Sequence, residues 1–196
     1  MDVEFVTLLL AMGAAGGLGG WGVAARRDAR REAQCEAAAQ AVGWCYEPAD
    51  HGFSVTGRTL TCEWALRSGS HGGARATLFS LGSPDERRAI VALGTGQPAC
   101  ALPHLQRWPP DHAALHERVW IEAVAPEDAQ RVLDAEIARL MTAWVAPRRG
   151  RGERGLRAWL SPHGVELMSP HGLRGWSEIE PLVRLGIVLG RRAGLA

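Results

Sequence analysis

The run Phe5–Ala25, FVTLLLAMGAAGGLGGWGVAA, holds 21 residues without a charge. An α-helix needs about 20 apolar residues to cross roughly 30 Å of hydrocarbon, and a helix in a soluble core is rarely apolar on every face at that length. The run therefore predicts a transmembrane anchor. A cleaved signal peptide is the competing reading, with Val23-Ala24-Ala25 as its cleavage site. Signal peptides carry a basic segment ahead of the apolar run. Here Asp2 and Glu4 precede it, and Arg26, Arg27, Arg30 and Arg31 follow. The positive-inside rule then keeps the C-terminal side in the cytoplasm and the N-terminus outside. The bilayer is the expected partner of residues 5–25. Within the run, Gly13 with Gly17 and Gly16 with Gly20 have the small-xxx-small spacing that lets two helices approach. Self-association through them competes with the plainer reading that glycine is common in membrane helices.

Sidedness sets the state of the thiols. Cys35, Cys45, Cys62 and Cys100 form no C-x-x-C pair, and a cytoplasmic domain keeps them reduced. Reversed topology would make the chain an exported, disulfide-bonded domain instead.

Charge and composition exclude several classes. The formal net charge is +1, so no global field recruits nucleic acid. Every basic side chain is arginine; the sequence holds neither lysine nor asparagine. A P-loop, a protein kinase and a Schiff-base enzyme each need a lysine. N-glycosylation needs asparagine. No G-x-S-x-G elbow is present either.

Beyond the anchor, Asp28–Val42 is alanine-rich and stops at Gly43, which suits a left-handed helix cap; a helical stalk over residues 26–43 is expected. The period then changes from 3.6 to 2. FSVTGR (Phe53–Arg58), LTCEWALR (Leu60–Arg67), ARATLFSLG (Ala74–Gly82) and RAIVALG (Arg88–Gly94) read as strands of an antiparallel meander, with SGSHGG and SPDE as breaks. In the second of these, Leu60, Cys62, Trp64 and Leu66 share one face. ERVWIEAV (Glu117–Val124) continues the sheet after an irregular connection. Pro126 opens a helix with Ala129, Val132, Leu133, Ile137, Leu140, Met141 and Trp144 on one side. After the Arg/Gly loop Pro147–Gly155, Ser177 and Glu180 form a capping box for a last, largely apolar helix. That helix is too short to span a membrane and should lie against the sheet. The expected fold is α+β over residues 44–196: an antiparallel sheet packed against two amphipathic or apolar helices, preceded by the anchor at residues 1–25.

Two passages invite a metal. SPHG occurs at Ser161–Gly164 and again at Ser169–Gly172. Ser, Pro and Gly occupy their favoured places in a type I turn, and VELM between them reads as a strand. Turns at opposite ends of one strand hold their histidines too far apart to share an ion. The stretch from Cys100 to His116 is the better candidate, because Cys100, His104, His112 and His116 give C-x3-H and H-x3-H. It lacks the glutamate of H-E-x-x-H, and Pro103, Pro109 and Pro110 interrupt it. No metal, cofactor or catalytic residue is assigned. A Cys–His nucleophilic pair, which would meet only in space, has no local signature here. The Arg/Gly loop reads as a solvated linker, with contact to anionic lipid as its alternative.

The order of span, arginine cluster, helix ending in Gly43-Trp44 and small α+β domain resembles bacterial membrane-anchored families of unknown function. LHERVWIEAVAPEDAQRVLDAEI (Leu115–Ile137) is similar to their strand-then-helix element, though an aromatic commonly stands where Leu115 and Val119 are here. The resemblance implies topology alone. The leading expectation is a single-pass inner-membrane protein presenting a non-catalytic α+β domain to the cytoplasm for binding or assembly. The alternative is a membrane-tethered metal-binding protein or enzyme that uses Cys100–His116.

Overall fold

The computed structural model describes residues 25–71, 74–96, 102–108, 119–144, 154–173 and 175–195. Residues 5–24 of the apolar run, with both glycine pairs, lie outside these, as does most of the Arg/Gly loop. Among the described residues no helix is long and apolar enough to cross a membrane.

Helix α1 covers residues 25–41. Gly43, at φ +77°, ends it. Its N–H donates to Gln40 O at 3.0 Å, while Trp44 N–H donates to Ala39 O at 2.9 Å. These two bonds make a Schellman motif and satisfy carbonyls that the helix end would otherwise orphan. Four strands follow as a meander: β1 (Cys45–Ala49), β2 (Gly52–Arg58), β3 (Glu63–His71) and β4 (Ala74–Gly82). A 3-10 turn at Glu86–Arg88 leads to β5 (Val91–Gly96), β6 (Gln106–Arg107) and β7 (Val119–Ala123). Helices α2 (Pro126–Val132) and α3 (Ala135–Ala143) come next, then β8 (Arg154–Ser161), β9 (Gly164–Ser169) and α4 (Trp176–Arg192). The strands form one sheet in the order β1-β2-β3-β4-β9-β8-β5-β7-β6, antiparallel at every pairing.

The α+β class and antiparallel sheet match the sequence reading; the order of strands does not. The β8–β9 hairpin inserts between β4 and β5, so the sheet is no simple meander. Strand-to-strand register across the insertion (Phe79↔Leu167, Ala158↔Leu167, Leu93↔Ala158) keeps one continuous row of apolar side chains on one face. Phe79, Leu167, Ala158 and Leu93 are fully buried. Helices α2, α3 and α4 cover that face, α4 across β4 and β9, α2 and α3 across β5 and β7. α4 buries Ile179, Leu182, Val183, Leu185 and Leu189 completely, each side chain contributing about 1.5–3 kcal/mol by leaving water.

Three other expectations need correction. Leu60 is not on the core face of a strand: it is 99% exposed at the tip of the β2–β3 turn, which Thr59 closes by donating N–H and hydroxyl to Cys62 O. Strand β3 instead runs on through Ser68-Gly69-Ser70, because Ser68 is buried and its hydroxyl is satisfied by Thr77 Oγ1 at 2.9 Å. The single helix expected from Pro126 is two. Asp134 breaks it, its carboxylate accepting from Ile137 N–H at 2.9 Å as the N-cap of α3. The expected stripe survives the break, with Ala129, Val132, Leu133, Ile137 and Met141 buried and Leu140 and Trp144 half-buried against them. Ser177 does not cap α4 either. The cap position is Gly175, without a side-chain bond, and Glu180 pairs with Arg184 at 2.6 Å.

Candidate functional site

The second SPHG segment, rather than the first, leads to the site. Thr77 Oγ1 donates to His171 O at 3.0 Å, and Leu173 N–H donates to the Ser68 and Thr77 hydroxyls at 3.3 Å. These buried bonds pull residues 170–173 onto β3 and β4 and deliver the chain to the start of α4. Helix α1 packs beside that start with Cys35 and Ala39 buried. Between α1, the β1–β2 turn, the β3–β4 end and the second SPHG bend lies a cleft of about 800 Å³.

Asp28, Arg31, Glu32 and Cys35 of α1 form one wall. Tyr46 and Phe53, whose rings stack at 5.4 Å, form the floor with Ser68 and Ser70, and Asp50, His51, Arg75, Gly172 and Gly175 complete the rim. Arg31 pairs with Asp28 at 3.0 Å. Glu32, Asp50 and Arg75 form no ion pair among the described residues.

The surroundings of the cleft's thiol and phenol both favour the protonated forms. Burial pushes the Cys35 thiol up, and the Trp176 N–H and Arg31, which pull the other way, do not overcome it. A thiol held protonated at neutral pH is a poor nucleophile. Burial, followed by the neighbouring Cys35 and Glu32, raises the Tyr46 phenol to about 12. Tyr46 therefore keeps its proton and offers the cleft a hydroxyl donor.

Cys100, His112 and His116 lie outside the described residues. His104 lies on the opposite face of the sheet, where its Nε2 donates to Ala89 O at 2.9 Å. Among the described residues no three His, Cys, Asp or Glu side chains cluster as a metal site. The two SPHG histidines are separated by the whole of β9; the first SPHG is the tight turn that joins β8 to β9, whereas the second, expected to be a turn as well, is a bend. Cys35, Cys45 and Cys62 are free thiols.

On that opposite face, Ala92, Leu105 and Trp120 form a small second core with Leu102 and Trp159 packed on it. Glu122 is 4% exposed there, and neither its Oε2 nor the Trp120 Nε1 has a hydrogen-bond partner among the described residues.

Sequence reasoning missed the cleft because its lining comes from five separate segments. The stop at Gly43 and the repeated SPHG were its only local signals. No family model, curated protein or solved structure matches the chain.

Proposed function

We propose that the protein is a single-pass membrane protein, held by residues 5–25 with its N-terminus outside, whose α+β domain binds a small polar ligand in the α1 cleft on the cytoplasmic side. One observation carries this reading: α1 is already helical at residue 25, where the uncharged run ends, and its first turns wall the cleft. At 1.5 Å per residue, Arg31 stands about 9 Å and Cys35 about 15 Å along the helix axis from Ala25. A helix continuous with such an anchor would set the cleft at the membrane surface. The protonated thiol and phenol support a binding role. The arginines at positions 26, 27, 30 and 31 support the sidedness.

Membrane fractions of cells expressing the full chain test the reading. Resistance to carbonate extraction, with a C-terminal fluorescent reporter active and a C-terminal phosphatase reporter silent, is the expected result. Recovery in the carbonate supernatant, a mature product beginning near Arg26, or the reverse reporter pattern would overturn it.

A further inference from the structure

The charges of the cleft specify more than polarity. We propose that its ligand is a zwitterion joining a phosphate ester to an ammonium group, the chemistry of an ethanolamine phospholipid headgroup. This inference rests on the binding role proposed for the cleft.

The volume, about 800 Å³, lies in the range of small-molecule sites. Once Arg31 and Asp28 neutralise each other, the lining among the described residues presents one unpaired guanidinium, Arg75, and two unpaired carboxylates, Glu32 and Asp50. A purely anionic ligand would bring its charge against Glu32 and Asp50. A purely cationic one would leave Arg75 facing it. All three side chains are exposed at the cleft surface, and a ligand with both signs meets both kinds of charge.

The charges of opposite sign differ in their settings as well. Arg75 lies along the second SPHG bend, its Cδ only 3.6 Å from where a methyl group on Gly172 would stand. A guanidinium suits the planar, two-point grip that phosphate oxygens accept. The uncapped start of α4 at Gly175 lies on the same rim. Glu32 lies instead near Tyr46, whose phenol feels its charge, and the Tyr46–Phe53 stack gives that setting an aromatic surface. Carboxylate plus ring face is a setting for an ammonium. The anchored reading proposed above, on which this step rests, selects a lipid headgroup over a soluble zwitterion as the source.

The test uses the full chain in a nonionic detergent, titrated calorimetrically with glycerophosphoethanolamine, inorganic phosphate, ethanolamine and alanine. Glycerophosphoethanolamine is expected to bind about tenfold or more tighter than either half alone, since each charged contact contributes on that scale. Arg75→Gln and Glu32→Gln should each weaken it about tenfold, with melting temperatures unchanged because both side chains sit at the cleft surface. Vesicles rich in phosphatidylethanolamine should compete with the soluble probe; failure to compete would reassign the source to a free phosphodiester and overturn the headgroup part. Equal binding of alanine, or of phosphate alone, would overturn the ligand class. So would affinity that ignores both substitutions. None of these results bears on carbonate extraction, so the inference can fail while the anchored reading stands.

Discussion

At the scale of single residues, the two copies of SPHG do unlike work, and their glycines separate them. A methyl group on Gly164 would lie 2.4 Å from Pro84 N and 2.7 Å from Leu81 O. Backbone atoms of a central strand pair cannot step aside, so Gly164→Ala should lower stability by about 2–4 kcal/mol. At Gly172 the nearest atom would be 3.6 Å away, and Gly172→Ala should stay within about 0.5 kcal/mol of the parent. Thermal unfolding of the full chain in detergent reads both; equal losses would show that the motif, not its packing, decides. Glu166 gives a second residue-level outcome. Burial, and then the charge of Glu86, raise its carboxyl above the ordinary value near 4.5. The raised folded value means that its stabilising contribution is complete below that ordinary value and is lost as pH rises through the folded one. Glu166→Gln should therefore gain on the parent above that window, and its advantage should vanish as pH falls toward 4.5. A stability difference independent of pH would sink this account.

Among the elements, close approach and capping decide what survives substitution. α4 crosses β4 at Gly186, where an added methyl would sit 2.1–2.6 Å from the Phe79 ring. Phe79 is fully buried, so the ring has nowhere to turn. Gly186→Ala gains about 1 kcal/mol of helix propensity, yet overpacking costs about 1–3 kcal/mol, and the net expectation is a lower melting temperature. Asp134 caps α3 and also pairs with Arg192 near the end of α4. Asp134→Ala should cost about 0.5–2 kcal/mol, while Asp134→Ser, which keeps a capping oxygen, should recover most of it. These cases also show what the sequence could reveal. β2, β4, β7 and α4 were legible because alternation or helical spacing states which face is buried. β1 was not: CYEPA carries Pro48 on an exposed edge strand and has no apolar face to alternate. The continuation of β3 through Ser68 was hidden because its burial depends on Thr77, a partner from another strand. The break at Asp134 was legible in principle, since aspartate is a favoured N-cap, but the apolar stripe runs through it uninterrupted.

For the molecule as a whole, strand direction turns the anchored reading into a measurable orientation. The cleft gathers the first turns of α1, the β1–β2 turn and the β3–β4 end at one end of the sheet. β2 leaves that end at Gly52 and climbs to Arg58, and Leu60 stands exposed beyond it. Seven residues at about 3.3 Å each separate the two ends by roughly 20 Å. If α1 continues from a membrane span, residue 50 sits beside the lipid headgroups and residue 60 well above them. A fluorophore on Asp50→Cys should thus be strongly quenched by a headgroup-attached quencher, and one on Leu60→Cys should be barely quenched. Labels are placed in a background where the native cysteines are serine, and both are read in vesicles containing the full chain. The exposed position of each site makes the comparison one of depth rather than of fold. Equal quenching would mean that the sheet lies flat on the bilayer, and the reverse order would put the cleft away from it. Either result would remove the reason for assigning the cleft a lipid headgroup.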